Sequence, residues 1–149
     1  MDLLTIIISS IFATSTMTLF SYVVSWIFKK TYKEPVLLQF LMSNFNIKVG
    51  LYYREILSWY LHYFIGLVFI ISFNIPLWLY PELYDFTLRS SLLFGCIIGI
   101  VGLIWWYIMF SLLPEKAPNK VFGYYLQLFI AHIIFGLTTY LINWYLNEF

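Results

Sequence analysis

His62 and His132 are the only histidines in this chain, and each opens the same short pattern. His62-Tyr-Phe-Ile-Gly66-Leu67 and His132-Ile-Ile-Phe-Gly136-Leu137 share a histidine, three bulky residues, a glycine and a leucine. Neutral imidazole is a natural axial ligand, so histidines on facing helices can hold a haem b between them. The glycine four residues later would leave room for a flat macrocycle. Two histidines fall short of the three or four protein ligands that zinc takes, so no separate metal site is expected. The simpler reading is a histidine that hydrogen-bonds a neighbouring helix, with the glycine serving close packing. A pocket for a polar lipid or quinone, or a proton relay, is the remaining use of such a pair.

Other chemistry finds little support. The chain has no Gly-x-Ser-x-Gly elbow, no His-Glu-x-x-His pair and no glycine-rich phosphate loop. Serine and threonine are plentiful near the N-terminus, but nothing marks one as an activated nucleophile. Cys96 is the single cysteine, which precludes a disulfide within the chain and suits a small packing residue. No catalytic residue is assigned, and the expectation leans away from an enzyme.

The elements that must position the histidines follow from composition. Of 149 residues, 62% are hydrophobic, 23% aromatic and only 10% charged. A soluble domain averages about 25% charged. The chain therefore reads as one integral membrane domain over residues 1–149. Its net charge of +1 excludes a strongly basic nucleic-acid binder. Stretches 3–28, 56–80, 90–113 and 121–146 are long and apolar enough to span a bilayer as helices. A barrel would alternate apolar and polar residues, whereas runs such as Phe64–Ile71 are continuously apolar or small. No Asp, Glu, Lys or Arg falls clearly inside a span, which argues against an ion-coupled transporter. No buried lysine is available for a retinal Schiff base.

Seven of the eight basic residues fall in the first and third connections: Lys29, Lys30, Lys33, Lys48, Arg54, Lys116 and Lys120. Only Arg89 lies in the second. The basic connections should face the cytoplasm, with both termini outside. The first stretch lacks a basic n-region and runs long for a signal peptide, so it is expected to be retained.

The spans also repeat. Ser10, Thr14, Thr18 and Ser21 are spaced as Ser91, Gly95, Gly99 and Gly102 are, at an offset of 81. The histidine patterns of spans two and four lie 70 apart. Such small-residue stripes let helix backbones approach closely in lipid. The expectation is an all-α, four-helix bundle of two tandem hairpins, related by a pseudo-twofold axis along the membrane normal. The first connection is eleven residues longer than its counterpart. Residues 35–43 in it predict a short helix opened by Pro35, lying at the interface with its apolar residues in lipid or forming a protein docking surface. Tyr52, Tyr53, Tyr124 and Tyr125 at one end of the spans, and Trp78, Tyr80, Trp144 and Tyr145 at the other, suit headgroup anchoring. Asn74 and Asn143 are placed to bond across helices.

With its four spans, small-residue first and third helices, and His62- and His132-led patterns, the chain resembles uncharacterised bacterial inner-membrane proteins of the YagU-like kind. That resemblance implies a multi-pass inner-membrane protein with no established activity. Residue types favour a non-enzymatic scaffold, accessory subunit or lipid-interacting protein. The alternatives are a haem electron carrier and a channel or uncoupled transporter formed on oligomerisation. Expected partners are membrane lipid and either a second copy, packed along Gly95 and Gly99, or another membrane protein.

Overall fold

The computed structural model describes residues 2–45, 47, 49–113 and 122–148. Over those residues it is all-helical: α1 is Leu3–Phe28, α2 Glu34–Asn44, α3 Leu51–Leu79, α4 Leu88–Leu112 and α5 Phe122–Glu148. Four of the five, all but α2, are long and apolar enough to cross a membrane. α3 starts five residues before the expected apolar span because a helix can continue past the hydrocarbon, where Arg54 and Glu55 are tolerated. Lys48, Lys116, Lys120 and Val121 lie outside the described residues.

Local chemistry sets the helix ends. The Asp2 side chain accepts from the Thr5 N–H at 2.8 Å and caps α1. Thr87 and Ser90 form a reciprocal capping box at the start of α4. α1 stops at Lys29, which takes a left-handed conformation with φ 50° and donates its N–H to the Ser25 carbonyl. The Ser25 hydroxyl then accepts from the Tyr32 N–H at 2.9 Å. That bond turns the chain back on itself, so that α2 starts against the bundle.

α5 packs along both α1 and α4, and α1 along α3. The contacts inside each hairpin correspond. A Cβ added at Gly66 would run into Thr14 Oγ1. A Cβ added at Gly136 would run into the Ser91 carbonyl and lie 3.2 Å from the Gly95 Cα. Thr14 and Gly95 hold the same place in their stripes, as do Gly66 and Gly136 in theirs. Likewise His62 reaches Thr18, while a Cβ at Gly99, the counterpart of Thr18, would sit 3.4 Å from the His132 Cβ. The stripe residues Ser10, Thr14, Thr18 and Ser21 are buried in α1, and Ser91, Gly95 and Gly99 in α4. Gly102 is half-buried.

The symmetry between hairpins is incomplete. α1 lies against α5, but the corresponding pair, α3 and α4, is not packed along its length. These two helices meet through the rings of Phe73 and Phe94, 4.6 Å apart. The difference lies in α2. Its Leu37 and Leu41 are buried with Trp106 and Phe110 of α4 and Tyr124 and Leu128 of α5, while its Gln39 amide donates to Ser58 of α3 at 3.3 Å. α2 thus stands between α3 and the second hairpin.

Several expectations change accordingly. The apolar face of α2 turns into the protein rather than into lipid, because Glu34, Leu37 and Leu41 have partners there. Tyr124 is a core residue and not an anchor. The Gly95 and Gly99 face is filled by His132, Ile133 and Phe129 of α5, which leaves it unavailable to a second copy. Asn74 donates to the Ile70 carbonyl of its own helix, and the Asn143 side-chain oxygen accepts from Asn147 one turn on, so among the described residues neither bonds across helices.

The α4–α5 contact makes a direct test possible. An added Cβ at Gly95 would lie 2.7 Å from the His132 carbonyl oxygen, and that backbone cannot swing aside. Overpacking of this kind costs about 1–3 kcal/mol. Gly95→Ala and Gly136→Ala should each lower the melting temperature in detergent, whereas Ile97→Leu on the exposed face should leave it unchanged. Equal melting temperatures for all three would contradict the packed contact.

Candidate functional site

Both histidines sit in the interior, His62 5% and His132 4% exposed. They line one cavity of about 340 Å³ to which all five helices contribute. Thr14 and Met17 come from α1, Glu34 and Leu38 from α2, His62 and Phe69 from α3, Gly102 and Trp106 from α4, and Leu128 and His132 from α5. Ile65, Val101 and Trp105 also line it. These three are at the same time exposed on the outer surface, Val101 at 52% and Trp105 at 53%. They mark a mouth on the side of the bundle where α3 and α4 stand apart.

Hydrogen bonds fix which ring nitrogen of each neutral imidazole carries its proton. The Thr18 hydroxyl has one proton and gives it to the Thr14 carbonyl at 2.6 Å. The 2.8 Å contact between Thr18 and His62 Nε2 is therefore donated by the imidazole. His132 Nδ1 lies 2.8 Å from the Leu128 carbonyl, which can only accept, so Nδ1 holds the proton there. What remains is a bare acceptor on each ring, Nδ1 of His62 and Nε2 of His132.

This geometry does not fit haem. Axial ligation needs a bare nitrogen from each ring directed at one iron. His62 keeps a bare Nδ1, but the bare Nε2 of His132 packs against Gly102, where an added Cβ would be 3.3 Å away. Gly66 and Gly136, expected to make room for a macrocycle, are instead closed over by Thr14 and Ser91.

Glu34 is the functional candidate that residue spacing did not reveal. It is 3% exposed and stands at the start of α2. Its Oε1 accepts from the Ser21 hydroxyl of α1 at 2.9 Å and, more distantly, from the Gln127 amide of α5 at 3.4 Å. Gln127 also donates to Ser21 Oγ at 2.6 Å, closing a three-helix node. Glu34 Oε2 and Gln127 Oε1 are buried without a partner among the described residues. The available signal was Gln127, an amide amid an apolar span, together with Ser21 at the end of its stripe. Hydropathy places Glu34 outside every span, and only the turn pinned by Ser25 folds it in.

No protein-family description matches this chain. Neither a curated protein nor a solved structure is significantly similar to it. The site must be read from its own chemistry. Among the described residues no three His, Cys, Asp or Glu side chains gather as a metal site would require. Among the described residues the walls hold one acid, two imidazoles and the Thr14 hydroxyl, with no nucleophile paired to a base.

Burial pushes the Glu34 carboxyl up to about 7, against hydrogen bonds from its own backbone, Ser21 and Gln127 that favour the charged form. The folded chain thus holds this proton more tightly than the unfolded chain, where the value is 4.5. The resulting stabilisation is complete below about pH 4.5 and is lost as pH rises through 7, by about 3 kcal/mol in all. Melting temperatures in detergent between pH 5 and pH 8 should fall for the wild type relative to Glu34→Gln, whose amide does not titrate. Parallel profiles for the two proteins would show that Glu34 titrates normally.

Proposed function

We propose that this protein is a non-enzymatic, lipid-interacting membrane protein that holds one apolar small molecule in the cavity between α3 and α4. The observation that carries this reading is the position of the mouth. A cavity whose rim residues Ile65, Val101 and Trp105 also form the outer surface of two apolar helices opens toward hydrocarbon, not water. Its size lies within the ~300–1,000 Å³ of small-molecule sites, and its few polar groups among apolar walls match their usual make-up. Among the described residues its walls hold no nucleophile paired to a base and no metal cluster, which supports binding without chemistry.

The basic residues Lys29, Lys30, Lys33 and Arg54 support a cytoplasmic position for the end of the bundle where Glu34 lies, with both termini outside. The YagU-like resemblance supports a bacterial inner membrane. On this placement the ligand enters sideways from the bilayer.

Protein purified in mild detergent should carry an extractable apolar compound, close to one per chain by mass spectrometry. Val101→Trp narrows the mouth at an exposed position and should reduce that content about tenfold or more without lowering the melting temperature of ligand-free protein. Wild type that carries nothing above a detergent-only control, or a variant that carries as much as wild type, would overturn the reading.

A further inference from the structure

A second recess lies where α1 turns into α2. Lys29, Lys30 and Lys33 line a groove of about 340 Å³ there, together with Ser25, Trp26 and Val36. The turn that presents the lysines is held in shape by its own backbone. The N–H groups of Lys29 and Lys30 both donate to the Ser25 carbonyl, and that of Tyr32 donates to the Ser25 hydroxyl. The Lys33 ammonium stands over the Tyr22 ring, 4.4 Å from its centroid. No acidic residue lines the groove. Glu34, next in the chain, turns its carboxyl away to Ser21 and Gln127. The carbonyl end of α1 contributes about half a unit of negative charge, which leaves most of the charge of three ammonium groups uncompensated.

We infer that this groove binds the phosphate of an anionic membrane lipid, whose acyl chains run along the outer face of α1. Lysine meets phosphate as a point charge, and basic pockets beside membrane helices suit lipid head groups. A soluble phosphate ester carries the same charge, so the surroundings of the groove decide between the two. Trp26 is 81% exposed, and Val23 and Leu19, one and two turns back on the same face of α1, are exposed as well. They extend the groove as an apolar strip that hydrocarbon can cover. Trp26 lies two residues from the end of α1, where an amphipathic ring belongs at headgroup depth. A lipid seated there touches both α1 and α2 and clasps the turn that folds Glu34 into the bundle. The site is separate from the cavity between α3 and α4 and does not depend on its being occupied.

The test uses the full chain in mild detergent and follows lipid binding by native mass spectrometry, with dioleoylphosphatidylglycerol and dioleoylphosphatidylcholine as probes. The anionic lipid should bind saturably at one per chain and at least about tenfold tighter than the zwitterionic one. Lys29→Gln and Lys30→Gln, both at exposed positions, should each weaken it about fivefold. Arg54→Gln, at the same end of the bundle but outside the groove, should leave it unchanged. Equal affinity for the two lipids, or a loss in Arg54→Gln as large as in the lysine variants, would overturn the site. If Arg54→Gln fails to fold, the ratio of the two lipids and the lysine variants decide. Soluble glycerol 3-phosphate should not displace the bound lipid at equal concentration, and displacement would overturn the assignment to lipid.

Discussion

A carboxyl group buried among apolar helices needs partners close at hand, and Glu34 finds them on two different helices. Ser21 comes from α1 and Gln127 from α5. Because Glu34 is also the first residue of α2, the node ties the connection between α1 and α3 to the far hairpin. The inward turn of α2, the spacing of α3 from α4 and the cavity between them all depend on where that carboxyl can be satisfied. Replacing it by an apolar residue would remove the polar reason for α2 to enter the bundle, though Leu37 and Leu41 would still favour burial.

The rest of the bundle rests on small residues. Within a membrane, helix association draws on close packing and interhelical hydrogen bonds and not on the exclusion of water. Here each hairpin uses the same contact: a glycine of the second helix against a small residue of the first, Gly66 on Thr14 and Gly136 beside Gly95. The tighter α4–α5 version brings backbone against backbone. The looser α1–α3 version trades some proximity for hydrogen bonds, from His62 to Thr18 and between Tyr63 and Ser15 at 2.9 Å. Duplication of the contact explains why the repeat is visible in sequence. The eleven-residue insertion between α1 and α3 explains why the two halves do not close into a symmetric bundle.

What the sequence made legible follows from what repeats and what is apolar. The four long helices, the stripes at Ser10–Ser21 and Ser91–Gly102, and the inward histidines are all periodic features of apolar segments, and the fold uses them as such. Glu34 was not legible because its burial depends on a turn that neither periodicity nor hydropathy reports: a left-handed Lys29 and one bond from Tyr32 to Ser25. The same cause hid the inward face of α2 and the burial of Tyr124. The glycines after the histidines serve close packing, the simpler of the two uses their spacing suggests. The ligand-sized space lies elsewhere, because α3 and α4 diverge where α2 intervenes.

Infrared spectroscopy of the purified protein at about pH 6 addresses the buried node most directly. Exposed carboxyl groups are ionised at that pH, so a carboxylic-acid C=O absorption reports only a group whose proton is held by burial. The account predicts one such absorption, absent in Glu34→Gln and lost from the wild type as pH is raised past about 7. A wild-type spectrum at pH 6 that shows carboxylate alone and coincides with that of Glu34→Gln in the acid region would contradict it.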